Sequence, residues 1–296
     1  MMRFDREQLE TLAAVVAAGT FDAAAEQLSI TPSAVSQRIK ALERQLGRVV
    51  VVRSKPIRAT DAGTALLRLT QQLGALEHEA VAELGLESST GSVSIPLAVN
   101  ADSMATWLLP ALAEVARAHP LVFELHRDDQ EYTADLLAAG TVMAAVTSDA
   151  QPVATCTVTG LGRMRYHPVA SPSFAARWFA QGPTPSALAA APVVVFDRKD
   201  ELQHRYLRSV TRRELAPPRH FVPASADFAI AVELGMGWGM LPEAQSAAGI
   251  ESGALVALDP SRSVTVPLYW QQWNLRSTAL DTVAAAVVGH ARAALG

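Results

Sequence analysis

The stretch that most constrains this chain is Thr31 to Leu46, TPSAVSQRIKALERQL, which has the marks of a helix laid against something polar. Thr31 stands at the N-cap and Pro32 at the first helical position, where a missing N–H costs nothing. Val35, Ile39, Leu42 and Leu46 recur at spacings of four, three and four, so they form one inward apolar stripe. The outer face carries Ser33, Ser36, Gln37 and Lys40. Short hydroxyls, an amide and a cation are the groups that reach base edges and phosphates in a DNA groove.

The residues before it strengthen that reading. Leu9, Leu12, Val15 and Val16 give an amphipathic first helix ending at Gly19, and Thr20 caps a second, Phe21 to Leu28. A three-residue turn, Ser29-Ile30-Thr31, leads into the long helix. Helix, short helix, tight turn and long helix make a helix-turn-helix with the last helix as reader. The plainer alternative is a helical bundle with a solvated face.

FDAAAEQLSITPSAVSQRIKALERQLG resembles the N-terminal signature of the LysR-type transcriptional regulators. Asn100 to Leu112, NADSMATWLLPAL, is similar to a segment of the lysine- and arginine-sensing branch of that family, the ArgP and LysG type. The first motif is specific for the family and the second for the branch, and the resemblance runs over essentially the whole chain. It implies that double-stranded operator DNA, a small basic amino acid and RNA polymerase are partners. It also implies activation of a lysine or arginine export gene by a homodimer or a tetramer.

The net charge of −4 is unusual for a DNA binder until it is divided. Residues 1–60 hold nine Lys or Arg against six Asp or Glu, and residues 61–296 hold sixteen against twenty-three. A basic head on an acidic body is the footprint of a protein that binds nucleic acid at one end only. The single cysteine, Cys156, excludes an internal disulfide and reads as a small buried hydrophobe. His78, His119, His126, His167, His204, His220 and His290 lack the close pairs of metal sites, so neither metal nor cofactor is expected. The opening MMRFDREQLE has no apolar run after its charges, and no stretch of about eighteen apolar residues follows, so a cytoplasmic protein with no membrane partner is expected.

After the reading helix, Val49 to Arg53 and Ile57 to Ala59 flank Ser54-Lys55-Pro56 as the hairpin of a wing. Arg53, Lys55 and Arg58 would there meet phosphate or a narrow minor groove, although for Lys55 a solvated charge is an equal alternative. The DNA contacts expected are Thr31, Ser33, Ser36, Gln37, Arg38, Lys40 and Arg53. A helix from Thr60 to about Gly85 carries Leu66, Leu69, Leu73, Leu76, Ala80 and Leu84 near heptad spacing. About 25 residues span about 38 Å, and a helix so long with no adjacent core pairs with its copy in a second subunit. A two-fold dimer then requires an inverted-repeat operator.

Glu87 to Ser92 reads as a polar hinge, and beyond it strands and helices alternate: SVSIPLAV, Ser103 to Ala118, VFELHR, Tyr132 to Ala139, VMAAVT. A second set runs from RYHPVAS through SFAARWFAQG, a helix around Ser186 to Ala190, PVVVF, Leu202 to Leu215, HFVP and Phe228 to Leu234 to GWGMLP. PLYWQQW and Leu280 to Leu295 return to the first. Such order builds mostly parallel sheets covered by helices. The fold expected is an N-terminal all-α winged helix-turn-helix with a long linker helix, then a C-terminal α/β two-lobed, periplasmic-binding-protein-like effector domain. Residues 1–60 read DNA, 61–88 dimerise and 91–296 bind the effector, with lobe I at about 91–166 and 267–296 and lobe II at about 167–266. Gly235, Gly237 and Gly239 follow a helix and enter a strand, the reverse of a dinucleotide loop, so they read as a helix end and tight turn.

The cleft between lobes is the natural ligand site. Given the basic amino acid that the resemblance implies, its carboxylate needs donors and its cations need carboxylates. Asn100, Asp102 and Ser103 lie where the first strand of the module meets its first helix, Trp107 one turn on can stack along the ligand stem, and Asp129, Thr147, Ser148, Asp197, Ser225 and Asp227 sit at strand ends or loops. Each acid taken singly is equally a cap or a solvated charge; Asp102 can cap its own helix, and Asp200 reads as surface. No catalytic residue is expected: Gly-x-Ser-x-Gly, His-Glu-x-x-His and phosphate-loop patterns are all missing from the sequence, and adjacent Asp128 and Asp129 would point to opposite faces of a strand. An enzyme with a DNA-binding head, a regulator of another metabolite and an architectural DNA binder are the competing readings.

Overall fold

The computed structural model describes residues 3–84, 92–127, 130–275 and 277–296. Three helices open the chain: α1 (Arg6–Ala18), α2 (Phe21–Gln27) and α3 (Pro32–Leu46). Each begins on a side-chain cap, with Asp5, Thr20 and Thr31 accepting from the amides of Gln8, Ala23 and Ala34. Gly19 and Gly47 end α1 and α3 in the left-handed conformation, at φ of 70° and 69°. Val35, Ile39 and Leu42 are fully buried against Leu9, Leu12, Val15 and the alanines of α2. The wing is a short antiparallel pair, β1 (Val51–Val52) and β2 (Arg58–Ala59), with Val51 opposite Ala59.

The linker helix α4 (Asp61–Glu83) corrects one expectation. Leu66 is buried in the head core and Leu67 and Leu69 pack on it, so the first turns of α4 belong to the head and not to a seam. Leu73, Leu76 and Leu84 are exposed and remain available for a partner. The hinge read at Glu87 to Ser92 lies, apart from Ser92, outside the described residues.

The next part begins with β3 (Val93–Val99) and a helix in three parts: α5 (Ala101–Ser103), a π-helical turn (Met104–Leu108) and α6 (Leu109–Ala118). Then come β4 (Leu121–Arg127), α7 (Gln130–Ala139) and β5 (Ala144–Thr147). β4, β3 and β5 are parallel neighbours, and β5 is buried along its whole length. The chain crosses to the second lobe on β6 (Cys156–Ala170) and continues through α8 (Pro172–Trp178), α9 (Pro185–Ala190), β7 (Val193–Val195), α10 (Leu202–Val210), β8 (Arg219–Phe221), α11 (Ser225–Glu233), β9 (Gly239–Pro242), α12 (Glu243–Ser252) and β10 (Val256–Ala257). It returns on β11 (Val264–Trp273) and closes with α13 (Thr278–Leu295).

β6 and β11 pair antiparallel over most of their length, and this two-strand ribbon joins the lobes. β11 continues onto β5 on one side, while β6 continues onto β9 and β10 in the other lobe. The pairing shifts between Leu268 and Tyr269, where Gly162 takes φ of 128°. A Cβ there would come within 2.8 Å of Leu295 of α13, so conformation and packing both call for glycine. β6 extends nine residues further towards the N-terminus than the sequence suggested, α10 stops at Val210, and α12 was not anticipated because its small residues make no apolar stripe. Gly235, at φ of 78°, ends α11 as expected; a Cβ on Gly239 would lie 2.7 Å from Phe228.

Candidate functional site

Strands β4, β3 and β5 end side by side, and the loops leaving them place Arg127, Asn100 to Asp102 and Ser148 on one wall of a cavity of about 730 Å³. The facing wall comes from the second lobe: Phe196 to Leu202 after β7, Ser225 at the start of α11 and Gln245 on α12. Tyr166 of β6 and Val266 and Pro267 of β11 complete it from the connecting ribbon. A cavity at the carboxyl ends of parallel strands, between two lobes, is where such folds hold ligands.

Asp102 is the best-held group in it. Its Oδ2 accepts from the Tyr166 hydroxyl at 2.8 Å and its Oδ1 from the Ser225 hydroxyl at 2.7 Å. Burial pushes the Tyr166 hydroxyl well above its ordinary pKa, and the Asp102 charge pushes the same way, so Tyr166 stays protonated as a donor. Gln245 supports Ser225, donating to its carbonyl at 3.0 Å. Asp102 therefore does not cap its own helix; Asn100 does, its Oδ1 accepting from the Ser103 amide at 2.9 Å.

The loop after β7 is tied by its own aspartates. Asp197 Oδ1 accepts from the amides of Lys199 and Asp200 at 2.7 and 2.9 Å. Asp200 accepts from the amides of Phe196 and Leu202, both at 3.0 Å. Reading Asp200 as surface was wrong: it is partly buried and lines the cavity. Burial, and secondarily the Asp102 charge, hold its carboxyl above the ordinary carboxylate range despite those amide donors.

Of the ligand contacts read from sequence, Asn100, Asp102, Ser148, Asp197 and Ser225 reach the cavity. Four do not. Ser103 is fully buried with its amide already used, and Trp107 is buried, its apolar neighbours displacing it from any stacking role. Thr147 is buried and accepts from the Asp149 amide at 3.1 Å, while Asp227 is exposed on α11 beyond the lining. Asp129 lies outside the described residues, as does Asp128. Arg127, Lys199 and Arg205 also line the cavity, although the sequence pointed for the ligand's carboxylate to helix amides and hydroxyls and not to cations. Arg127 ends a strand, the position that should have flagged it. Buried Gln271 fixes the loop bearing Ser148, donating to the carbonyls of Asp149 and Gln151 at 3.0 and 2.9 Å.

At the other end of the chain, Thr31, Ser33, Gln37 and Lys40 are exposed along α3 and Ser36 is partly covered. Arg38 turns away from that row and pairs with Glu7 of α1, with Thr11 a further acceptor at 3.5 Å. The Arg53 guanidinium lies over the Phe21 ring, 5.6 Å from its centre, while Lys55 and Arg58 stand exposed on the wing. Cys156 is half-buried, and burial raises its thiol pKa. Among the described residues no cluster of His, Cys, Asp or Glu is placed to hold a metal, and no helix is long and apolar enough to cross a membrane.

A winged helix-turn-helix joined by a long helix to a two-lobed module with a polar cavity defines a ligand-responsive DNA-binding protein. Residues 6–64 match the model of the bacterial regulatory helix-turn-helix protein, lysR family, and residues 90–292 that of the LysR substrate binding domain. The chain belongs to the LysR family of transcriptional regulators. It is similar to the lysine export transcriptional regulatory protein LysG of Corynebacterium efficiens, 42% identical over 97% of this chain and 98% of that one. Among solved structures it is similar to ArgP from Mycobacterium tuberculosis, with TM-score 0.88 and 45% identity over 98% of each chain. It is also similar to full-length LysG from Corynebacterium glutamicum with bound effector Arg, with TM-score 0.79 and 37% identity over 99% of each chain.

Proposed function

We propose that this chain senses lysine or arginine and, when loaded, activates a gene for export of a basic amino acid. The carrying observation is the cavity itself, where the Asp102 carboxylate is held rigid by Tyr166 and Ser225 at the junction of the lobes. A cationic group gains most from a carboxylate that is oriented and partly desolvated. Arg127 and Ser148, on the same wall, suit the ligand's α-carboxylate. The Arg in the Corynebacterium glutamicum relative and the export role in the name of the Corynebacterium efficiens one support the same ligand class and output.

In this reading residues 1–60 bind operator DNA through Thr31, Ser33, Ser36, Gln37, Lys40 and Arg53, and within residues 61–88 the part of the linker beyond the turns packed on the head, from about Leu73, dimerises. Residues 91–296 bind effector, lobe I being about 91–166 and 267–296 and lobe II about 167–266. The protein acts in the cytoplasm as a homodimer or tetramer, engages RNA polymerase and performs no catalysis. The effector works through its different affinity for two arrangements of the lobes, which alters the spacing or bend imposed on DNA. Calorimetric titration with lysine and arginine, against glutamate and phenylalanine, tests the ligand. Saturable binding confined to the basic pair is the expected result, and silence from that pair discards the ligand while leaving the family membership intact.

A further inference from the structure

The cavity holds a second carboxylate whose placement is as deliberate as that of Asp102. Asp200 comes from the loop after β7 in the second lobe, whereas Asp102 follows β3 in the first. Each Asp200 oxygen accepts one backbone amide, at 3.0 Å, and the Gln203 side chain is a further hydrogen-bond partner, which fixes the carboxylate and still leaves it acceptor capacity for a ligand. The loop that presents it is itself pinned by Asp197 through two further amides. Asp102 is equally fixed, with one donor on each oxygen. Two immobilised carboxylates from opposite lobes share one cavity, and the Asp102 charge makes charging Asp200 costlier. A cation between them turns that repulsion into attraction.

We propose that Asp200 selects for a cationic effector: with Asp102 it forms a two-carboxylate clamp that takes the side-chain ammonium or guanidinium of the ligand and draws the two lobes together. This rests on the reading of the effector as a basic amino acid. It assigns Asp200 a part beyond stapling its own loop: the loss of a staple bond weakens every ligand alike, whereas the loss of the charge weakens the cationic ligand selectively.

Ligand pairs that differ only in charge separate the two roles. Arginine and citrulline have nearly the same shape, as do lysine and norleucine, but only the first of each pair carries the side-chain cation. Full-length wild-type protein and Asp200→Asn are titrated with all four. The clamp requires that Asp200→Asn lower the preference for arginine over citrulline by about tenfold or more, the effect of losing one charge-assisted hydrogen bond, whatever loss the broken staple bond imposes on both ligands alike. Parallel weakening of both ligands with the preference intact would reduce Asp200 to a loop staple and overturn the proposal. Wild-type protein that binds no basic amino acid overturns the effector reading and the clamp together; wild-type binding with an unaltered preference in the variant overturns the clamp alone.

A measurement on wild-type protein covers the case in which Asp200→Asn does not fold. The Asp200 carboxyl titration, followed by carbon NMR, moves to lower pH with saturating arginine and stays in place with citrulline. Asp102, Asp197, Lys199, Glu201, Arg205 and Arg127 surround the cavity in both titrations, so the difference reports the ligand's cation. An Asp200 titration unmoved by bound arginine would equally overturn the clamp.

Discussion

The Ser225 hydroxyl donates to the Asp102 carboxylate at 2.7 Å, joining residues 123 positions apart and from opposite lobes. The bond spans the cleft, so it belongs to the junction of the lobes and not to either lobe alone. Ser225→Ala shifts the balance towards open lobes and lowers the competent population that a ligand finds. A hydrogen bond to a charged group contributes about 1.5–3 kcal/mol, so calorimetry should give basic-ligand affinity roughly tenfold weaker or more. Equal ligand affinity in wild type and variant would mean that the contact does not contribute to closure.

Asp200 makes a prediction about pH. Burial holds its folded-state pKa above the ordinary carboxylate value. Between those two values the folded state binds more protons than the unfolded chain, so the Asp200 contribution to stability falls as pH rises through that window. It is most favourable on the acid side, where the neutral carboxyl sits in the cavity without repelling Asp102. Chemical denaturation of ligand-free wild type and Asp200→Asn from neutral to mildly acidic pH should therefore show the difference moving in favour of wild type as pH falls. A constant difference would show that burial costs this charge nothing.

On the DNA side, Gln37 and Arg38, both read from the sequence as DNA contacts, are placed differently by the fold. Gln37 is exposed on the outer face of α3, where an amide can pair with a base edge. Gln37→Ala should cost about 1–3 kcal/mol of operator binding and leave non-specific binding nearly unchanged. Arg38 is instead paired with Glu7, so it braces α3 against α1. Arg38→Ala should alter the salt dependence of DNA binding less than loss of a phosphate contact would. Gel-shift titrations across salt concentrations check both, and a slope reduced by about one unit for Arg38→Ala would return it to the phosphate contacts.

The head was legible because its signals are local: caps, a proline at the first helical position, and an apolar stripe at helical spacing all fall within α3. The alternation of strands and helices in the first lobe was legible for the same reason. What escaped was non-local. β6 carries Gly160 and Gly162 at a register shift, which breaks strand alternation and hides the ribbon that joins the lobes. Asp200 resembles a surface charge in FDRKD, and only the fold of that loop turns it inward. Trp107 failed in the opposite direction, since its spacing from Ser103 was right but the π-helical turn faces it into the core.

Gly140 connects the two ends of the protein. It ends α7 at φ of 75°, and a Cβ there would lie 2.6 Å from the Arg68 Cα of the linker helix α4. Backbone stands against backbone at that point, so neither side can yield by turning a side chain. Gly140→Ala adds left-handed strain of about 1 kcal/mol to that clash and must push α4 off the first lobe. Since α4 carries the head, its contact with α7 ties the first lobe to the DNA-binding end. The variant should lose about 1–3 kcal/mol of stability, keep its effector affinity, and show a smaller effector-induced change in operator binding. Calorimetry and gel-shift titration with and without arginine read these separately. An undiminished effector response would show that lobe movement reaches the head without this contact.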